Sequence, residues 1–308
     1  MFTFESITST AGARLWVLLV AVIALAACTN SKLLLRPLYN SVDNRIDKRV
    51  RELVTLSSEQ TASMRAVSDD LHLWHRTYEL PQYATLLADI SAQIGNASVT
   101  RSTVDSWFAA ATDARERVFV CSPVTGSARL LQSLSDDQVG ELEERLLNPE
   151  TDDDDWEDDG EPHLRVRRYL SLIGFKMQAD QVERLRLQFE QVRSVRPAAP
   201  DFRTFSTAWN ARFVSLLDAR AEPDFERQLH VYLGERHRAF AGLRRERVRE
   251  MWRDYAHVEI QQLSPSQRQF AARWLAKLGR TLQAVSRDYL EQATVTRALQ
   301  PCSPVASS

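Results

Sequence analysis

Three times this chain writes a leucine, a serine, two further residues and a glutamine: Leu56-Ser57-Ser58-Glu59-Gln60, Leu134-Ser135-Asp136-Asp137-Gln138 and Leu263-Ser264-Pro265-Ser266-Gln267. Each reads as a helix-opening capping box. The serine oxygen accepts from an orphan N–H of the first turn, the glutamine reaches back to the cap, and the preceding leucine acts as a hydrophobic staple. Pro265 stands at the first helical position, where its missing N–H costs nothing. Looser starts are read at Thr100 and near Asp180, and Glu222-Pro223-Asp224 opens the next segment.

Between these starts the spacing predicts helices over 41–54, 58–79, 81–94, 101–119, 124–133, 136–148, 162–174, 179–195, 201–218, 223–259 and 265–298, with no strand pattern. Phe270, Trp274, Leu275, Leu278, Leu282, Val285 and Tyr289 recur at three- and four-residue steps, which lines one face of the last helix and assigns it to the core. Only 9 of 308 residues are glycine and 11 proline, while 44% are hydrophobic, so breakers are few and a core is sustainable. The expected fold is all-α: an elongated multi-helix array or an irregular helical-hairpin repeat. Starts recur at roughly forty residues, as in two-helix repeats, but the irregular period favours an ordinary packed array.

At the N-terminus the apolar run from Leu15 to Ala27 matches a secretory h-region and falls short of the ~20 residues a spanning helix needs. Leu25-Ala26-Ala27-Cys28 resembles the lipobox cut by bacterial lipoprotein signal peptidase, which makes Cys28 the lipidation site. The alternatives are a plain secreted protein or an uncleaved anchor. Acyl chains add ~0.8 kcal/mol of membrane affinity per buried CH₂, enough together to hold the body without a spanning helix. Thr29, rather than an aspartate, follows the cysteine and favours the outer membrane, periplasmic face. The expected organisation is a signal peptide at 1–27, lipidated cysteine and tether at 28–40, a helical domain at 41–300 with an acidic linker near 150–161, and a disordered tail at 301–308.

Downstream of Cys28 come Tyr39-Asn40 and Asp43, the first capping box, Trp74-His75-Arg76 with Glu79-Leu80-Pro81 and Tyr83, then Leu134-Ser135-Asp136-Asp137-Gln138-Val139. On these residues the chain resembles bacterial lipoproteins built around a helical domain of unknown function, clearly to about residue 195 and more loosely beyond. It departs from them after Tyr39-Asn40, where Asn44 and Arg49 stand in a region usually bearing tryptophans. The resemblance implies a lipoprotein with a helical fold. It implies no activity, cofactor or catalytic residue.

Trp74, His75, Arg76 and Glu79 form the candidate binding face. On an α-helix His72, His75 and Glu79 share one side, an arrangement able to hold a metal or to set His75 as a base tuned by Glu79. The structural reading, which is preferred, pairs His75 and Arg76 with acidic neighbours, packs Trp74 inside and starts a new helix at Pro81. Asp155-x-Glu157-x-Asp159-Gly160 faintly resembles a calcium loop, but Val166 stands where a bidentate glutamate is required, so this run reads as a solvated linker.

Opposite in sign, Arg236-His237-Arg238 through Arg244, Arg245, Arg247, Arg249 and Arg253 are interrupted by Glu235, Glu246 and Glu250. They read as a solvated, internally paired helix face; attraction to lipid phosphate, lipopolysaccharide or an acidic partner is the alternative. A net charge of −2 gives no overall footprint for nucleic acid. Cys121 and Cys302 can form one disulfide in an oxidising compartment if their geometry allows. No Gly-x-Ser-x-Gly elbow, phosphate loop or His-Glu-x-x-His pair occurs. The expectation is therefore a noncatalytic, cofactor-free envelope lipoprotein, bound to the membrane through Cys28 and to an envelope protein partner. A metal-binding protein or enzyme using His72, His75 and Glu79, and a periplasmic chaperone-like factor, are the alternatives.

Overall fold

The computed structural model describes residues 46–148, 161–195, 199–243 and 246–290. They form α1 (46–53), α2 (Ser58–Trp74), a π-turn (His75–Glu79), α3 (Leu80–Gly95), α4 (Arg101–Val120), α5 (Thr125–Gln132), α6 (Asp136–Leu147), α7 (Pro162–Leu172), α8 (Ala179–Ser194), α9 (Ala199–Asp218), α10 (Phe225–Leu243), α11 (Glu246–Gln262) and α12 (Pro265–Leu290). The described residues contain no strand, and the architecture is an all-α array. Cys28, the tether, the acidic run through Asp155 and Gly160, and Cys302 lie outside the described residues.

All three capping boxes close. The backbone N–H groups of Ser57, Ser135 and Ser264 donate to the Oε1 atoms of Gln60, Gln138 and Gln267 at 2.9, 2.9 and 3.0 Å. Each serine Oγ accepts the reciprocal bond at 3.2 Å. The start expected near Asp180 uses the same device, with the Gln178 N–H donating to Gln181 Oε1 at 2.8 Å.

The glutamines do more than cap. Gln60 Nε2 donates to the Ser133 carbonyl at 2.8 Å and to Gln138 Oε1 at 2.9 Å, while Gln138 Nε2 donates to the Thr55 carbonyl at 2.6 Å and to Gln60 Oε1 at 2.8 Å. Each amide thereby satisfies both of its donors, and the starts of α2 and α6 are clasped together. The pattern recurs across α8 and α12. Gln267 Nε2 donates to the Lys176 carbonyl at 2.9 Å and to Gln181 Oε1 at 2.8 Å. Thr55, Ser133 and Lys176 each stand five residues before the glutamine of their own box, so the clasps are built to one plan.

Two main hydrophobic clusters form around these joints. Val54, Ala128, Leu142, Leu146, Leu217, Phe225 and Leu229 join α1, α5, α6, α9 and α10. Ile94, Val99, Val104 and Trp107, with Ile260 and Leu275 against them, join α3, α4, α11 and α12. Removing such side chains from water supplies the main driving force, about 1.5–3 kcal/mol for each large one.

Helices α3 and α12 run antiparallel in the most extensive helix pair. Ser91 Oγ donates to the Ala272 carbonyl at 2.7 Å, and a Cβ added at Gly279 would meet the Ala84 carbonyl at 3.1 Å. Glycine there permits the close approach. The face expected to be core does point inward, with Leu278 and Val285 buried and Trp274 and Leu282 packed against Leu278. Gly174, at φ +90°, ends α7 in the left-handed conformation that glycine adopts without strain.

The segment read as one helix over 223–259 is helical over Phe225–Leu243 (α10) and Glu246–Gln262 (α11), and residues 244–245 between them lie outside the described residues. One boundary differs from expectation. The break expected at Pro81 is absent, because helix continues from Ser58 to Gly95 through the π-turn.

Candidate functional site

Proline supplies no N–H and its ring crowds the carbonyl four residues earlier, so an uninterrupted α-helix through Pro81 would be strained. The chain absorbs this by winding wider before the proline. Leu80 donates its N–H to the His75 carbonyl, five residues back, which defines the π-turn. The Arg76 carbonyl then lacks both usual partners: Leu80 has bonded elsewhere, and Pro81 has no hydrogen to give. Ser286 of α12 supplies the donor, its Oγ lying 2.8 Å from the Arg76 carbonyl in a buried contact. Thr77 Oγ1 donates to the Leu73 carbonyl at 2.7 Å. Π-turns are frequent at functional sites, and this one falls on the motif singled out from sequence.

Glu79 is 1% exposed, and Arg117 of α4 donates to it twice, Nε to Oε1 at 3.0 Å and Nη2 to Oε2 at 3.2 Å. This forked pairing fixes the planes of both groups. Trp74 and Arg76 are buried, as is His72. His75 lies 5.5 Å from Tyr83, ring centre to ring centre, in an edge-on arrangement. Burial, then the neighbouring His72 and Arg76, push the His75 imidazole down to about 4, so it is neutral at physiological pH.

The expectation that Glu79 tunes His75 needs correction. Glu79 is held by Arg117 rather than tuning His75, whose environment is set by burial and cations. Among the described residues no group of three or more His, Cys, Asp or Glu side chains is placed to hold a metal ion. The two residues that complete the arrangement, Arg117 and Ser286, lie 38 and 210 positions from their partners and carry no local sequence signal.

The profile of a family described as a family of unknown function (DUF6279) matches residues 52–241. The chain belongs to this family. No curated protein and no solved structure matches it. The DUF6279 match takes in the first clasp and the Glu79–Arg117 pair, and ends within α10. Gln267 and Ser286, which complete the second clasp and the π-turn contacts, lie beyond it.

In this DUF6279 chain Cys121 caps the end of α4 and is disulfide-bonded. The arginine-rich stretch over α10 and α11 also differs from expectation, because several of its partners come from α4 rather than from its own helices. Arg253 lies 3.9 Å from Asp105 and Arg238 4.0 Å from Glu116, while Arg101 of α4 pairs with Asp254. His237 stacks on Phe119 with ring centres 4.4 Å apart. Burial, then Arg115 and Arg238, push it down to about 4. Arg244 and Arg245 lie outside the described residues. No helix among the described residues is long and apolar enough to cross a membrane.

Proposed function

We propose that this is a noncatalytic envelope lipoprotein, anchored through lipid on Cys28 to the periplasmic face of the outer membrane, whose helical body binds or scaffolds another envelope protein. The observation that carries the noncatalytic part is the condition of the π-turn. Glu79 is consumed by Arg117, the Arg76 carbonyl by Ser286, and His75 is neutral and packed against Tyr83. These polar groups fasten three helices to one another. The disulfide at Cys121 supports an oxidising compartment, in keeping with export. The binding part draws support from α7 and α8, which leave Leu164, Leu172 and Leu187 42–45% exposed.

Two measurements test the reading. Growth with a clickable fatty acid is expected to label the chain and Cys28→Ala to abolish the label, releasing the protein from membranes; a label that survives the substitution defeats the lipid anchor. Crosslinking in the native envelope, followed by mass spectrometry, is expected to recover a specific protein partner. Recovery of none defeats the scaffold.

A further inference from the structure

Cys121 closes α4, its N–H donating to the Arg117 carbonyl at 2.7 Å, and its sulfur is disulfide-bonded. The chain has three cysteines, so the partner is Cys28 or Cys302. Cys302 lies outside the described residues and follows Leu290, the end of α12, by twelve positions. Twelve residues reach about 40 Å when extended. The described contacts bring the end of α12 within that reach of Cys121. Ser286 donates to the Arg76 carbonyl, Glu79 of the adjoining π-turn is gripped by Arg117, and the Arg117 carbonyl accepts from Cys121. One π-turn and a few side chains therefore separate the last turns of α12 from the Cys121 sulfur.

We infer that Cys121 is bonded to Cys302, and that this bond latches α12 to the end of α4. The choice against Cys28 rests on the lipoprotein reading, in which the Cys28 sulfur carries a thioether and has no thiol to give. In the pairing step the two thiols lose two protons and two electrons, the S–S bond forms, and the disulfide of a thiol–disulfide oxidoreductase is reduced to its dithiol. Oxidising compartments, where structural disulfides persist, supply that class of partner. The position gives the latch its use. Helix α12 completes the π-turn through Ser286 and packs along α3 at Gly279, yet it is far from both in sequence. A covalent link from its far end to the neighbourhood of the π-turn keeps the helix at high effective concentration beside its own seam. It also closes a long loop, which constrains the unfolded chain more than a short one does.

The test is peptide mapping by mass spectrometry of the full chain, taken without reductant from intact cells whose free thiols are first blocked with N-ethylmaleimide. A peptide pair joined through Cys121 and Cys302 is expected, and in Cys302→Ser the Cys121 thiol is expected to take up the reagent. A pair joined through Cys121 and Cys28 overturns the inference together with the lipid anchor. An alkylated Cys121 in the unmutated chain, or a Cys121 bonded to a second copy, overturns the inference alone and leaves the anchor standing. The latch is read separately by hydrogen exchange. Reduction of the purified chain is expected to speed exchange of the α12 amides by roughly tenfold or more and to lower the thermal melt by about 5 °C. Unchanged α12 exchange after complete reduction overturns the latch.

Discussion

The glutamine clasps and the π-turn fasten the same array by opposite chemistry. Each clasp uses neutral amides that cap a helix with one atom and bind the partner with another, so no charge is desolvated. The π-turn buries an ion pair, Glu79 with Arg117, together with an uncharged histidine. Buried ion pairs bring little net stability compared with an apolar filling, yet breaking one is costly. The clasps therefore stabilise through completeness, and the π-turn penalises any disturbance. The clasps also differ between themselves. The first is satisfied by four bonds of 2.6 to 2.9 Å but half-exposed at Gln138. The second is deeper, with Gln181 and Gln267 3% and 7% exposed, and one arm stretched to 3.5 Å.

Removing half of the ion pair is expected to have the largest effect. Glu79→Ala leaves the half-buried Arg117 without its carboxylate and is expected to cost about 3 kcal/mol in urea unfolding. Glu79→Leu with Arg117→Met is expected to recover much of that, and a double variant as unstable as the single one refutes the comparison. Next come the clasps. Gln267→Leu strands the Lys176 carbonyl and its partner amide where water is scarce, an expected loss of about 2–3 kcal/mol. Water reaches Gln138, so Gln138→Leu is expected to cost only about 1 kcal/mol; equal losses would show that depth does not distinguish the clasps.

Acid separates the charged joint from the neutral ones. His75 and His237 titrate in the folded chain at about 4, against 6.5 ordinarily. As pH falls below about 6.5 the unfolded chain takes up protons first, so stability is full above that pH and declines towards pH 4, by about 3 kcal/mol for each histidine. His75→Phe is expected to flatten its share of this slope in denaturant melts across that range. An unchanged slope would remove His75 from the account.

The smallest expected effect tests the proline argument. Ser286→Ala uncovers the Arg76 carbonyl at a cost of about 1 kcal/mol. In a Pro81→Ala background, where residue 81 regains an N–H, that cost is expected to shrink. If it stays the same, the missing N–H is not why Ser286 matters.

Helix starts were legible because capping is local: Ser57 and Gln60 meet whatever the rest of the chain does. What they join was not, since nothing in Leu56–Gln60 says that its partner is Leu134–Gln138. The π-turn was half legible. Pro81 marks the disturbance correctly, but whether helix stops or widens depends on a hydroxyl from α12. The basic stretch was visible as charge, whereas its closeness to Arg115 arises only when α4 packs beside it.

Order of synthesis gives the Ser286 contact one more meaning. A chain made from its N-terminus completes α2 and α3 long before α12 exists, and during that interval the Arg76 carbonyl waits for a donor 210 residues away. The second clasp waits likewise for Gln267. The final helix is thus the keystone of the first, and a truncated or stalled chain presents an open seam along α3 in place of a folded N-terminal half.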